Sequence, residues 1–294
     1  MTTRWWEIKI TSVPELEDTI FWRLEQFGCK GTALLEEDGV WYVKGYVPAI
    51  TTETLDLAAL SLWIEQDYTI AGLQLPSVSW QLIDDEDWSS SWKQHWQPME
   101  IGDRMVVYPA WIEPPTKCDR HIIRLDPGSA FGTGVHPTTQ LCMESLEMRL
   151  EDTNKDLTLV DIGCGTGILA MTARLLGAKR VIATDIDPLA VRATEENTEF
   201  NHIDNIEVYQ GSIDKVQEVA DVKFDGITCN ILAEIIKTMI PEMASIVKPN
   251  GWAILSGILI SQSGEISQVL EDNGWLIAMV WKRDNWCCIN ARRQ

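Results

Sequence analysis

The chain has 294 residues, 45% hydrophobic and 23% charged, proportions of a soluble globular protein that exclude intrinsic disorder and a fibrous repeat. Its 44 acidic residues against 24 basic ones leave a formal net charge of −20, which repels phosphate backbones and favours a basic protein as partner. No stretch reaches the roughly 18–20 apolar residues of a membrane span, and the start MTTRWWEIKITSV has no apolar signal core.

Residues 1–97 contain 6 Lys/Arg and 16 Asp/Glu, so the first third holds half of the net charge. Trp5–Val13 alternates as a strand does, and Pro14 opens a helical stretch that Gly28 ends. Ala33–Leu35 and Val40–Val47 read as a hairpin, Thr54–Asp67 as a helix and Ser77–Ile83 as a strand. The order β-α-β-β-α-β predicts a small ferredoxin-like α+β domain over 1–83. A linker helix and connecting strands are expected over 84–124, with Trp88, Trp92 and Trp96 stacked four residues apart on one helical face. Such a helix either packs against a domain or lines an aromatic groove.

The remainder, 125–294, alternates strand and helix. Leu157–Ile162, Arg180–Thr184, Ile206–Tyr209, Asp225–Asn230 and Trp252–Ile260 read as strands. Helices are expected over Ile168–Leu176, Pro188–Asn201, Ala233–Val247 and Gly264–Asp272, the third closed by Pro249-Asn250-Gly251. This predicts a Rossmann-like parallel sheet with helices on both faces. Trp275–Trp281 and Trp286–Ala291 follow with no helix between them, which predicts an antiparallel strand at one end. The seven cysteines, including the unexplained pair Cys287-Cys288, form no CxxC motif and read as reduced cytosolic thiols. None of the four histidines has metal-ligand spacing, so no zinc site is expected.

Gly163-Cys164-Gly165-Thr166-Gly167 joins the first strand of this sheet to its first helix, where open α/β sheets bind ligands. A dinucleotide fingerprint would need glycine at Ile168, and a P-loop would need a following lysine. Asp185 ends the next strand, placed to accept both hydroxyls of a ribose, while Asp187 before Pro188 is equally a helix N-cap. A nucleoside with an unphosphorylated, cationic tail fits best, and S-adenosylmethionine is such a ligand. Asn230 ends a later strand, where its side chain can reach the donor methyl or cap a helix. Before the fold, Leu125–Thr139 (LDPGSAFGTGVHPTT) is a shaped loop entering a helix, a natural seat for a carboxylate. Within it, His136 serves as a base or braces the loop.

Together LDPGSAFGTGVHPTT, DIGCGTG, DID and NILA resemble the ribosomal protein L11 methyltransferase family over about residues 125–260. The resemblance implies a small N-terminal substrate-recognition domain and a C-terminal S-adenosylmethionine-dependent methyltransferase domain. Methylation of lysine side chains and the N-terminal α-amine of ribosomal protein L11, in the cytoplasm, is then expected, without direct nucleic-acid binding. By motif, Thr139, Gly163, Gly165, Asp185 and Asn230 take cofactor-binding places, and Asn230 would also orient the amine, with the His136 loop as a lid. The alternatives are methylation of another protein or of rRNA, and a non-catalytic S-adenosylmethionine-binding adaptor.

Overall fold

The structure, a computed structural model, describes residues 4–29, 31–37, 39–84, 97–125, 134, 136–150 and 156–294. Residues 85–96, which carry the three spaced tryptophans, and most of the loop preceding His136 lie outside the described residues. Two compact units are present, Met1–Gln97 and Pro98–Gln294.

The first unit comprises β1 (Arg4–Thr11), α1 (Glu17–Phe27), β2 (Gly31–Glu37), β3 (Val40–Pro48), α2 (Thr54–Ile70) and β4 (Val78–Asp84). Its sheet order β2-β3-β1-β4 is the expected ferredoxin-like arrangement. Alternation in β1 buries Ile8 and Ile10 with Leu24 of α1 and Leu57, Leu60 and Ile64 of α2. The two helices are joined by a bidentate pair, Arg23 Nε to Asp67 Oδ2 at 2.8 Å and Nη2 to Oδ1 at 2.9 Å.

In the second unit, β5 (Met99–Ile101), β6 (Met105–Pro109) and β7 (His121–Leu125) form a small separate sheet. There follow α3 (Pro137–Arg149), β8 (Thr158–Ile162), α4 (Ile168–Leu175), β9 (Arg180–Asp185), α5 (Pro188–Phe200) and β10 (Ile206–Gln210). Next come α6 (Ile213–Val219), β11 (Phe224–Asn230), α7 (Ala233–Ile246), β12 (Val247–Leu259), α8 (Ser263–Asp272), β13 (Trp275–Arg283) and β14 (Trp286–Arg293). The main sheet runs β10-β9-β8-β11-β12-β14-β13. All pairs are parallel except those that β14 makes with β12 and β13.

Three details differ from the sequence reading. The antiparallel strand is β14, one place in from the edge, because the two-residue turn Asp284-Asn285 folds β14 back between β12 and β13. The third helix of the Rossmann-like region, α7, ends at Ile246, and Pro249-Asn250-Gly251 lies within β12. The short helix α6 had no counterpart in the sequence reading.

One core lies between the sheet, α3, α4 and the β5–β7 sheet, around Leu141, Met143, Leu146, Leu159, Leu169 and Ile254. The opposite face packs α6, α7 and α8 through Val216, Ile236, Ile240, Met243, Ile266 and Leu270. Strand order reverses between β8 and β11: β9 and β10 extend one way, β11 and β12 the other. Ligands of such sheets bind at the carboxyl ends of the strands flanking that reversal. Gly163 and Asn230 stand at those two ends.

Candidate active site

The turn from β8 into α4 is made by three glycines in the left-handed region, Gly163 (φ 76°), Gly165 (φ 55°) and Gly167 (φ 78°). The amides of Gly163 and Cys164 both donate to Thr184 O, at 2.8 and 3.0 Å. A Cβ on Gly163 would overlap the Ile231 side chain, and one on Gly167 would stand 2.7 Å from Thr194 Cγ2. Helix α5 braces the turn: Thr194 Oγ1 donates to Gly165 O at 3.0 Å, and Asn197 Nδ2 to Thr166 O at 2.9 Å. Both bracing residues escaped the sequence reading; their signal was only polar residues on the inner face of a predicted helix.

Asp185 ends β9 half-buried, its Oδ2 accepting the Gly165 amide and its Oδ1 the Asp187 amide, each at 3.0 Å. Each oxygen keeps a further lone pair for a ligand hydroxyl. Asp187 caps α5 by accepting from Leu189 N at 2.8 Å.

Across the reversal point, Asn230 is 8% exposed. Its Nδ2 donates to Thr139 Oγ1 at 3.3 Å, joining β11 to the first turn of α3. Its Oδ1 is buried without a hydrogen-bond partner among the described residues. An unpaired buried carbonyl costs roughly 1–3 kcal/mol, a cost that a ligand donor removes.

His136 is the N-cap of α3: Nδ1 accepts from Thr138 N at 3.3 Å and lies 2.7 Å from the Thr138 hydroxyl. An accepting Nδ1 places the proton of the neutral ring on Nε2. The imidazole meets Trp286 edge-on, with centroids 5.0 Å apart and an interplanar angle of 70°. Trp286 was also missed, because only the insertion of β14 beside β12 brings its first residue to this end of the sheet.

Beneath α3 and α4 the sheet carries a row of buried polar side chains, unusual in a core: Asp161, Thr228, Asn230, Ser256 and Asn290. Thr228 Oγ1 donates to Asp161 Oδ1 at 2.6 Å, and Asp161 Oδ2 has no hydrogen-bond partner within the described residues. Burial pushes the Asp161 carboxyl up to about 7, although Thr228 and the N–H end of α4 pull it down. Asp161 had a legible signal, an acid inside an otherwise apolar strand.

At the carboxyl ends of the strands about the reversal stand three glycines that admit close backbone approach, a strand-end carboxylate, a helix start and an amide carbonyl without a partner among the described residues. These residues fit S-adenosylmethionine, and with the sheet order they define a Rossmann-like, S-adenosylmethionine-dependent methyltransferase. The family model described as Ribosomal protein L11 methyltransferase (PrmA) matches residues 4–294. A Cyanothece protein named ribosomal protein L11 methyltransferase is 47% identical over 298 residues, covering 100% of both chains. A Thermosynechococcus vestitus protein of the same name is 47% identical over 297 residues, covering 99% of this chain and 98% of that one. The crystal structure of ribosomal protein L11 methylase from Lactobacillus delbrueckii subsp. bulgaricus superposes with a TM-score of 0.61 at 38% identity. It matches 68% of this chain and 100% of that one. The chain belongs to the ribosomal protein L11 methyltransferase family.

Proposed function

We propose that this protein transfers methyl groups from S-adenosylmethionine to lysine side-chain and N-terminal α-amines of ribosomal protein L11. The observation that carries the reading is the buried, unpartnered Oδ1 of Asn230 at the switch point, an acceptor awaiting an N–H donor. Asp185 would hold the ribose hydroxyls, the Gly163–Gly167 turn would admit the nucleoside, and the start of α3 with Thr139 would receive the carboxylate. When bound, the cofactor supplies an electrophilic methyl group.

The protein's task is then positional. An incoming amine must lose its proton and lie in line with the methyl–sulfur bond. A lysine amine of ordinary pKa about 10.4 is neutral to only about one part in a few thousand at pH 7, whereas an α-amine near 8 is much easier. Asn230 Oδ1 would accept from the amine and aim its lone pair, and the His136–Trp286 ring pair at the start of α3 would help to shape the approach. A ribosomal-protein substrate supports a cytoplasmic setting. The first unit, rich in acid, is read as the recognition domain and the second as the methyltransferase domain.

The test is incubation with labelled S-adenosylmethionine, ribosomal protein L11 and rRNA, with label located by mass spectrometry. Label is expected on L11 amines; label on rRNA alone would overturn the reading, and cofactor binding without transfer would indicate an adaptor. Asn230→Ala should lower turnover at least tenfold with little change in cofactor affinity.

A further inference from the structure

Where Asn230 points depends on what holds its amide, and Nδ2 is held by Thr139 Oγ1 at 3.3 Å. Thr139 is fully buried in the first turn of α3. Its backbone N–H donates to His136 O at 3.0 Å, as does that of Gln140 at 3.2 Å. The His136 ring in turn caps the helix through Thr138. The Asn230 amide is therefore referred to the stretch from His136 to Gln140.

That stretch is gripped by the end of the terminal hairpin. Arg283 closes β13 and Trp286 opens β14, and the two are register partners across the turn Asp284-Asn285. Trp286 meets the His136 imidazole edge-on, with centroids 5.0 Å apart. Arg283 donates from Nη1 to Gln140 Oε1 at 2.7 Å and from Nη2 to both Glu144 oxygens at 3.2 Å. The hairpin end is itself fastened to the main sheet, for Trp286 pairs with Leu259 of β12 and Asn285 O accepts from Ile260 N at 2.9 Å. Two side chains from one tight turn thus hold His136, Gln140 and Glu144, successive positions along one face of α3.

Both contacts fix geometry more than they add stability. A ring pair that meets edge-on is directional, and a guanidinium presents its donors in a rigid plane. The Arg283–Glu144 pair has side chains 37% and 24% exposed, and ion pairs so open to water contribute little to folding. Helix α3 already buries Leu141, Cys142, Met143 and Leu146 in the core. Apolar packing of that kind tolerates a small slide or rotation of the first turn. The Asn230–Thr139 bond does not, since at 3.3 Å a further few tenths of an ångström would end it.

We propose that Arg283 and Trp286 are positioning residues for methyl transfer. Through Gln140 and His136 they set the first turn of α3, and with it the Thr139 hydroxyl that aims the Asn230 amide at the incoming amine. This rests on the amine-methyltransferase reading above. Neither side chain has to touch the substrate. Without them the helix stays packed while its first turn drifts, and the amide turns from the line along which the amine attacks.

The experiment is a set of double-mutant cycles on kcat, measured with the full-length protein on intact L11 at saturating cofactor. Trp286→Leu, Trp286→Phe and Arg283→Met are each made in the native chain and again beside Asn230→Ala, with melting temperatures recorded. In the native chain, Trp286→Leu should lower kcat about tenfold and Arg283→Met about three- to fivefold. Trp286→Phe, which keeps an edge-on ring, should recover most of the loss, to within about threefold of the native rate. Beside Asn230→Ala, each should lower kcat by less than about twofold, because no amide is left to aim. A purely structural role predicts the same fold loss in both backgrounds, and that result would overturn the proposal. So would native kcat in Trp286→Leu and Arg283→Met, or Trp286→Phe as slow as Trp286→Leu. Arg283 is partly exposed, so Arg283→Met decides the matter should Trp286→Leu fail to fold. Failure of the native protein to label L11 would instead defeat the amine-methyltransferase reading itself.

Discussion

Gly257 is the position where one added carbon should do most damage to the acceptor side of the crevice. It lies in β12 with φ 81°, between the register positions Leu255 and Ile258 where the β12–β14 ladder shifts. A Cβ there would overlap the Ile231 carbonyl oxygen and stand 2.7 Å from its carbonyl carbon and 3.0 Å from its nitrogen. Ile231 cannot retreat freely, because its side chain fills the space that the missing Cβ of Gly163 leaves open. Gly257→Ala should therefore cost about 1–2 kcal/mol for left-handed backbone and about 1–3 kcal/mol for displaced packing. The sum is about 2–5 kcal/mol. Because Ile231 follows Asn230 directly, the displacement should also misaim the amide. Calorimetric melting, cofactor binding and turnover on L11 should be measured together. The expected result is a lowered melting temperature and a kcat down at least tenfold, with cofactor affinity changed less than about threefold. A variant that melted like the native protein and turned over at the native rate would refute the reasoning.

Other outcomes follow from the same geometry. Asp161, moved from an ordinary 3.8 to about 7, binds a proton in the native state that the unfolded chain sheds between those pH values. Its contribution to stability is thus present below about pH 4 and lost as pH rises through about 7, up to about 4 kcal/mol. Melting curves should show Asp161→Asn gaining on the native protein from pH 5 to pH 8, and a loss instead would reverse the sign. Asp185→Ala should weaken S-adenosylmethionine binding by about 10–100-fold in calorimetric titration, the worth of about 1.5–3 kcal/mol for charge-assisted hydrogen bonds. Thr194→Val, deprived of its bond to Gly165 O, should weaken binding about fivefold, corresponding to about 1 kcal/mol, with kcat on saturating cofactor preserved. Association with L11 should weaken as salt rises from 50 to 500 mM while cofactor affinity stays nearly constant.

Much of the crevice was legible because its residues act through local backbone rules. Three glycines at GxGxG spacing announced a strand-to-helix turn, and Asp185 and Asn230 sat at strand ends that periodicity alone could locate. The small β5–β7 sheet was harder, since strands of three to five residues barely repeat a period of two and are held mainly by packing under α3 and α4. His136, read as a base or a loop brace, is the N-cap of α3, a position fixed by the extended backbone preceding Pro137. Trp286 reaches His136 only through the insertion of β14 beside β12, so its place required the strand order, whereas Asp161, an acid inside an apolar strand directly before the glycine turn, could have been singled out from the sequence. Thr194 and Asn197 likewise looked like ordinary helix polars until the glycine turn was laid beside them.

The placement of β14 bears on how the protein is made. It is the last strand in chain order, yet it pairs on both sides, with β12 and β13. During synthesis at about 5–20 residues per second, domains start folding before the chain is finished. Here β12 must wait with an open edge, and β13 has no strand to join, until β14 emerges and slots between them. The indole of Trp286 reaches His136 only at that moment. A nascent chain could therefore assemble the glycine turn before the ring contact between Trp286 and His136 at the start of α3 can form.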